Sequence, residues 1–432
     1  MKKVAPGTGH LIGADTFDEA ALAALTEELS FNSYAASFTL ARSLARTITV
    51  SSGPPNSGKT YQSFLKLAAA ASGAYLAPLR LLAVEARDTL LTMGTRANLL
   101  TGEDFEAIEG AALTCSTIEM LDQSRPVDMI VIDEAQCLFD PARGWAWTQA
   151  ILAAPAKELH IICAPYAIEA VSQLLAITGE AFTVVNYERK GDLQLLAQPI
   201  SVADLQPGDA IVSFSRMDVL TTRDKVMKDT GSAVAVVYGS LPSEVRRREA
   251  GRFASGAAPL LSATDAIGQG LNLPIRRVLF TALHKFNGDA VVPLPATEIH
   301  QIAGRAGRYG YHETGLVGVL EGCESGALKI LGDALAAPPA APSGFRPTIG
   351  LGAWHIRKIA EGLQLTSLAD VVDVWSHRLA LSGESPFVCE LCRGQQARAS
   401  SAAQQAAHTL THTRPSTPPP PPPHSPSQLL AP

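Results

Sequence analysis

The chain has 432 residues, 47% of them hydrophobic and 18% charged, with a formal net charge of −6. That length allows two or three domains, and the composition is that of a globular core rather than a fibrous or disordered chain. No run of about 18 apolar residues lacks a charge or a proline, so no transmembrane helix and no membrane partner are expected, and the acidic balance excludes a broadly basic nucleic-acid binder while leaving room for a narrow groove.

Met1 to Gly7 carries Lys2 and Lys3 but no apolar stretch behind them, a poor signal peptide. Asp15, Asp18 and Glu19 come too early for an acid-poor transit peptide. The cysteines Cys115, Cys137, Cys163, Cys323, Cys389 and Cys392 are scattered, which fits a reducing compartment. A bacterial-type cytoplasm is the expected location, with the mitochondrion as the alternative.

Residues 1–46 read as an N-terminal segment, helical from about 15. Strand-like runs then alternate with helical ones at 47–52, 73–77, 111–114, 127–132, 159–163 and 182–186. A second series follows at 193–198, 210–214, 233–238, 259–262, 276–282 and 315–319. This is the rhythm of parallel sheets covered by helices, so the fold class is α/β. Two similar domains are expected, 47–188 and 189–334, with a cleft between them. A helical extension, 335–392, opens on an Ala/Pro linker and includes a helix from Leu365 to Leu381. Residues 393–432 are low in complexity and contain six consecutive prolines, Pro418 to Pro423, which predicts a disordered tail.

Between the first strand and a helix from Tyr61 to Ala71 stands Gly53-Pro54-Pro55-Asn56-Ser57-Gly58-Lys59-Thr60. G-x-x-x-x-G-K-T in a strand–loop–helix setting is a phosphate loop. Its amides cradle phosphate oxygens, Lys59 reaches the outer phosphates and the Thr60 hydroxyl holds Mg²⁺. Val127 to Ile132 is a buried strand ending in Asp133-Glu134-Ala135-Gln136. A strand-end Asp133 can hold nucleotide-bound Mg²⁺, and Glu134 can polarise an attacking water. Gln301-Ile302-Ala303-Gly304-Arg305-Ala306-Gly307-Arg308 puts Gln301, Arg305 and Arg308 on one face if it is helical. Two guanidinium forks suit a phosphate and could complete the site from the second domain. The loop Ser262 to Asn272 follows an apolar strand and offers Thr264 and Gly270 to a cleft. Three further loops could track a single strand: Pro78 and Arg80, Ser116 and Thr117, and Ser215 and Arg216.

The ordered set Gly53–Thr60, Ala77–Ala83, Thr101–Glu103, Thr114–Met120, Asp133–Gln136, Ser213–Arg216, Val237–Pro242, Ala263–Leu273 and Gln301–Arg308 resembles the superfamily-two RNA helicases of the Suv-three type, the helicase of the mitochondrial RNA degradosome and its bacterial relatives. The likeness covers roughly residues 45–330. It implies two RecA-like domains in tandem, hydrolysis of ATP or another NTP with Mg²⁺, and 3′-to-5′ movement on single-stranded or tailed duplex RNA, sometimes DNA, in RNA turnover. It also implies an exoribonuclease partner. Gln301, Arg305 and Arg308 become γ-phosphate sensors and finger. One departure is Ile162-Cys163-Ala164-Pro165, where the family has Leu-Cys-Gly. That motif couples hydrolysis to strand separation, so an RNA–protein remodelling translocase without efficient unwinding is the first alternative. A non-enzymatic NTP-sensing scaffold is the second. Cys389 and Cys392 with His408 and His412 have zinc-finger spacing, but the Gln/Ala/Ser-rich residues between them offer little apolar core, and the pattern reads as chance.

Overall fold

The structure, a computed structural model, describes residues 19–269, 273–307, 314–375 and 379. Gly270, Arg308, the tail and the Cys389, Cys392, His408 and His412 set lie outside the described residues. The chain divides into a large unit, 28–350, and a small helical unit whose described parts are 19–27, 351–375 and 379.

The large unit holds two sheets. The first contains β1 (Thr47–Ser52), β2 (Gly73–Ala77), β3 (Ala97–Leu100), β4 (Phe105–Glu106), β5 (Leu113–Thr117), β6 (Val127–Ile132), β7 (Ala156–Cys163) and β8 (Phe182–Asn186). Their order is β4-β3-β5-β2-β6-β7-β1-β8, parallel except for β4. The second contains β9 (Asp192–Leu195), β10 (Asp209–Val212), β11 (Val234–Val237), β12 (Leu260–Ala263) and β13 (Arg277–Phe280). After a separate antiparallel hairpin of β14 (His284–Phe286) and β15 (Val291–Pro293), β16 (Thr314–Val319) completes it. The order is β11-β12-β10-β13-β16-β9, all parallel.

Parallel strands packed on both faces must be apolar throughout. Accordingly Ile130, Val131 and Ile132 of β6, and Ala210, Ile211 and Val212 of β10, are fully buried. The strand runs anticipated from composition correspond to β1, β2 and β5–β13, with β16. β3, β4 and the β14–β15 hairpin were not anticipated. β3 is a four-residue run with no β-branched residue, and it forms because β5 offers it a parallel partner. The hairpin turns at Asn287-Gly288, where Asn287 Oδ1 accepts from the amides of Asp289 (3.0 Å) and Ala290 (2.9 Å). The N-terminal helical stretch is three helices, Glu19–Glu28, Phe31–Ser37 and Thr39–Ser43. In the small unit, helices Ala353–Gly362 and Leu368–Asp373 bury Ile359 and Val371, with Leu25 and Trp375. The predicted helix over 365–381 is thus shorter among the described residues.

An ion cluster anchors the strand that leads into the phosphate loop. Arg46, just before β1, donates from Nε to Glu180 Oε1 (2.6 Å) and from Nη2 to Glu180 Oε2 (2.5 Å). Its Nη1 donates to the carbonyls of Ile151 and Ala154, both at 3.0 Å. Arg42 (2.8 Å) and the Thr178 hydroxyl (2.6 Å) also donate to Glu180. Burial alone would raise the Glu180 pKa, but the hydrogen bonds from Arg46, Thr178 and Arg42 outweigh it and hold it at about 2. A carboxylate depressed in the folded state adds stability that is present above its unfolded pKa, about 4.3, and lost as pH falls through about 2. Glu180→Gln leaves the Arg46 charge buried and should cost about 3–5 kcal/mol. Denaturant unfolding between pH 7 and pH 2 measures it: the gap between wild type and variant should shrink steadily below about pH 4.

Candidate nucleotide site between the two lobes

β1 ends at Ser52, and the chain turns through Gly53–Gly58 before the helix Lys59–Ala69 begins. Asn56 (φ 60°) and Gly58 (φ 84°) are left-handed, which turns successive amides towards one concave point. At Gly58 an L side chain would be strained, and its Cβ would stand 3.2 Å from Lys190 Nζ. Ser57 Oγ is buried in the loop without a hydrogen-bond partner among the described residues, as expected of a hydroxyl that faces a ligand. Lys59 Nζ donates to Pro54 O (3.1 Å), folding the ammonium over the loop. Burial lowers its pKa, and Glu134 and Asp133 partly offset that.

β6 lies beside β7, which lies beside β1, so the acids at the end of β6 stand next to the loop. Asp133 is almost wholly buried. Its Oδ1 accepts from the Glu134 amide (2.8 Å), its Oδ2 accepts from the Tyr75 hydroxyl, and its carbonyl accepts from Trp147 Nε1 (3.0 Å). Burial, then the neighbouring Glu134 charge, raises its pKa to about 6, against the Tyr75 hydrogen bond and Lys59. Glu134 sits at φ 51°, ψ 47°, a left-handed conformation that costs a non-glycine residue about 1–3 kcal/mol and concentrates at functional sites. Gln136 holds its side chain: Nε2 donates to Glu134 Oε2, while Oε1 accepts from the Ala164 amide (3.0 Å). The loop at 162–165 is therefore joined to Glu134 through one glutamine.

The second lobe closes the cavity, although not by one helical face. The helix Ala296–Ala303 stops at Gly304, so Gln301 is helical and Arg305 lies in the following turn. The chain leaves the helix because Gly307 turns left-handed (φ 70°), its amide donating to Ile275 O (3.0 Å). The expectation that Gln301 and Arg305 share a helix face is corrected on that ground, and Arg308 lies outside the described residues. Arg305 Nε donates to Gly268 O (3.2 Å), and Nη2 stands 3.7 Å from Glu134 Oε1. A cavity of 670 Å³ results, lined by Gly53–Thr60, Asp133, Glu134 and Gln136 from one lobe and by Gln301, Gly304 and Arg305 from the other. That volume suits a nucleotide. The buried loop hydroxyl and the left-handed loop fit a polyphosphate, and the Thr60 hydroxyl and Asp133 carboxylate are the hard oxygens Mg²⁺ takes.

Residues 35–187 match the DEXQ-box helicase domain of Suv3, and residues 191–310 match the helicase conserved C-terminal domain. The chain belongs to the Suv3-type superfamily-two helicases. A protein named "ATP-dependent RNA helicase SUV3, mitochondrial" from Saccharomyces paradoxus is 40% identical over 311 residues, 70% of this chain and 42% of that protein. The mouse "ATP-dependent RNA helicase SUPV3L1, mitochondrial" is 38% identical over 366 residues, 81% of this chain and 46% of that one. The chain thus spans less than half the length of these Suv3-type relatives. A structure of Saccharomyces cerevisiae Dbp5 bound to Gle1 and IP6 aligns with a TM-score of 0.51 at 19% identity, covering 74% of this chain and 89% of that one. The fold is accordingly two RecA-like α/β domains in tandem.

The residues suggested for a strand all lie at C-terminal ends of parallel strands, the edge where this Suv3-type fold also carries its phosphate loop. Their exposure differs. Arg80 opens the helix Arg80–Thr92, pairs with Glu103 and is part-exposed. The Pro78 carbonyl accepts from Arg143 Nη2 (2.7 Å). Ser215 caps the helix Arg216–Thr230, accepting from the Asp218 amide (3.0 Å), and the Arg216 guanidinium lies 5.5 Å from the Tyr238 ring centroid. Ser116, Thr117 and Thr264 are buried. Gln136 and Arg189 also line the cavity; the sequence marks Gln136 by its place beside Asp133-Glu134, whereas Arg189 carries no local signal.

The raised Asp133 pKa predicts a stability signature. A carboxyl whose folded pKa, about 6, exceeds its unfolded value, about 3.9, is neutral for stability below pH 4 and costs stability as pH rises through the folded value. Asp133→Asn removes that cost. Thermal melts of the nucleotide-free protein should show the variant melting above wild type at pH 7.5, the gap opening between about pH 4 and 6. Equal melting temperatures at pH 7.5 would contradict the burial argument.

Proposed function

We propose that the chain couples NTP hydrolysis in the interlobe cavity to movement along RNA and to duplex opening, with DNA as a secondary track. The lobes carrying this work are 47–188 and 189–334. The observation that supports it is the meeting of Glu134 and Arg305, 3.7 Å apart and from different lobes, over a phosphate loop. A mere binder needs no water-polarising acid.

The backbone amides of Gly53–Thr60 and the Lys59 ammonium bind the phosphates and hold them in line. Glu134, oriented by Gln136, takes the proton of the attacking water. Arg305 stabilises the charge that builds on the transferred phosphoryl group, and Gln301 and Arg308 are assigned beside it. Mg²⁺, bound through Thr60 and Asp133, would neutralise phosphate charge. Gly270 belongs to the nucleotide side. Pro78, Arg80, Ser116, Thr117, Ser215, Arg216 and Thr264 are assigned to the strand. Because Arg305 belongs to the lobe opposite the phosphate loop, hydrolysis and release change how the lobes meet. That change shifts their grip on the strand.

The relatives' names support ATP as the nucleotide and RNA as the track. Those names also favour a mitochondrial location over the cytoplasmic expectation, and RNA turnover beside an exoribonuclease is the setting we infer. A remodelling translocase is the second reading. Its support is the altered Ile162–Pro165 loop, which Gln136 ties to the hydrolytic acid.

Lys59→Ala should abolish RNA-stimulated hydrolysis, and turnover surviving intact in that variant would sink the assignment. Arg305→Ala should lower kcat by about 10³-fold or more while changing nucleotide affinity far less. Displacement of 3′- and 5′-tailed RNA duplexes separates the two readings: RNA-stimulated hydrolysis without displacement selects remodelling.

A further inference from the structure

The segment joining the lobes runs along the phosphate loop. The Tyr187 amide donates to Ser52 O (2.7 Å), and the Lys190 amide donates to Asn56 O (3.0 Å). Between these two points Arg189 reaches across to the other lobe. Its Nη1 donates to Gly304 O (2.9 Å) and its Nη2 to Ala306 O (2.6 Å). Asn56 Nδ2 reaches the same two carbonyls, at 2.9 and 3.3 Å. The residue between those carbonyls is Arg305. The contact is close: a Cβ on Gly304 would stand 2.8 Å from Pro55 Cγ. The carbonyls follow the C-terminal end of the helix Ala296–Ala303, where the helix dipole favours a cation. A planar guanidinium meets the two carbonyls through two separate nitrogens in a fixed fork, a geometry that a single ammonium does not reproduce.

We propose that Arg189, with Asn56 as its partner, is a positioning residue for Arg305. It fixes the backbone on both sides of the finger and ties it to the shape of the phosphate loop. The inference rests on the reading of Arg305 as the phosphate-facing arginine of the second lobe. On this account the finger is set by the linker and the loop as well as by its own lobe. A phosphate that reshapes the loop at Asn56 thereby moves Arg305.

Arg189→Met keeps the aliphatic stem and removes the fork. Displacing a group by about 1 Å can cost about 10²-fold in rate, and a kcat loss of that order is expected. KM and the affinity for a fluorescent ATP analogue should change by less than about threefold, since the ground state keeps its contacts. Arg189→Lys, with a single donor group, should recover part of kcat. The double variant Arg189→Met/Arg305→Ala should be no slower than Arg305→Ala, because a positioning residue has nothing left to position. Amide hydrogen exchange of the nucleotide-free protein provides a readout independent of turnover. Residues 302–307 should exchange faster in Arg189→Met, while β7 at 156–163 should not change. An unaltered kcat, losses that multiply with those of Arg305→Ala, or unaltered exchange at 302–307 would overturn the proposal. If wild type hydrolyses no NTP with or without RNA, the helicase reading itself fails, and exchange at 302–307 alone decides whether Arg189 holds this segment.

Discussion

Neighbouring parallel strands all end on one edge of their sheet, and the chemistry of this protein depends on that constraint. β1, β7 and β6 are adjacent, so the phosphate loop after β1 and the acids after β6 meet although some 75 residues separate them. The crossover helices make this possible, because a parallel pair cannot be joined by a tight turn. The second lobe does not repeat the arrangement: Gly268 follows β12, but the Gln301–Arg305 segment lies where β13 and β16 begin, the Gly307 amide donating to Ile275 O just before β13.

The site also concentrates unfavourable terms. Asp133 is buried beside another carboxylate, Lys59 is a buried ammonium, and Glu134 and Asn56 hold left-handed backbones. Each would cost stability in isolation. Their surroundings compensate: Tyr75, Trp147 and the Glu134 amide hold Asp133, and the Arg42–Arg46–Glu180 cluster anchors the strand behind the loop. The acids and lysine also face one another, which lowers the cost of burying each. Such strain fits a site organised around charges that arrive with a ligand.

Local patterns were legible wherever one segment contained its own explanation. The phosphate loop is such a segment, with strand, turn and helix in consecutive residues. The buried β6 run ending in Asp133 and Glu134 is another, and both stand where their patterns placed them. The Gln301–Arg308 segment was legible as residue types but not as shape. Its 3.6-residue spacing suggests one helical face, yet the helix ends at Ala303 and the chain turns away at the left-handed Gly307. β3 carries no local signal, since a short strand of ordinary propensity exists only when a partner edge is present. The β14–β15 hairpin does carry one, the Asn287-Gly288 turn.

By itself the sequence determined the fold class, the long strands of both sheets, the phosphate loop and the two acids. These rest on period, β-branching and turn chemistry, all of which act within about a dozen residues. Only the tertiary structure decided which strands lie side by side, that Glu134 meets Arg305, and that Arg189 grips the carbonyls on either side of it. The Glu134–Arg305 and Arg189–Gly304 contacts join residues more than 100 positions apart. Their energy comes from a side chain meeting a group of a distant segment, for which no local pattern exists.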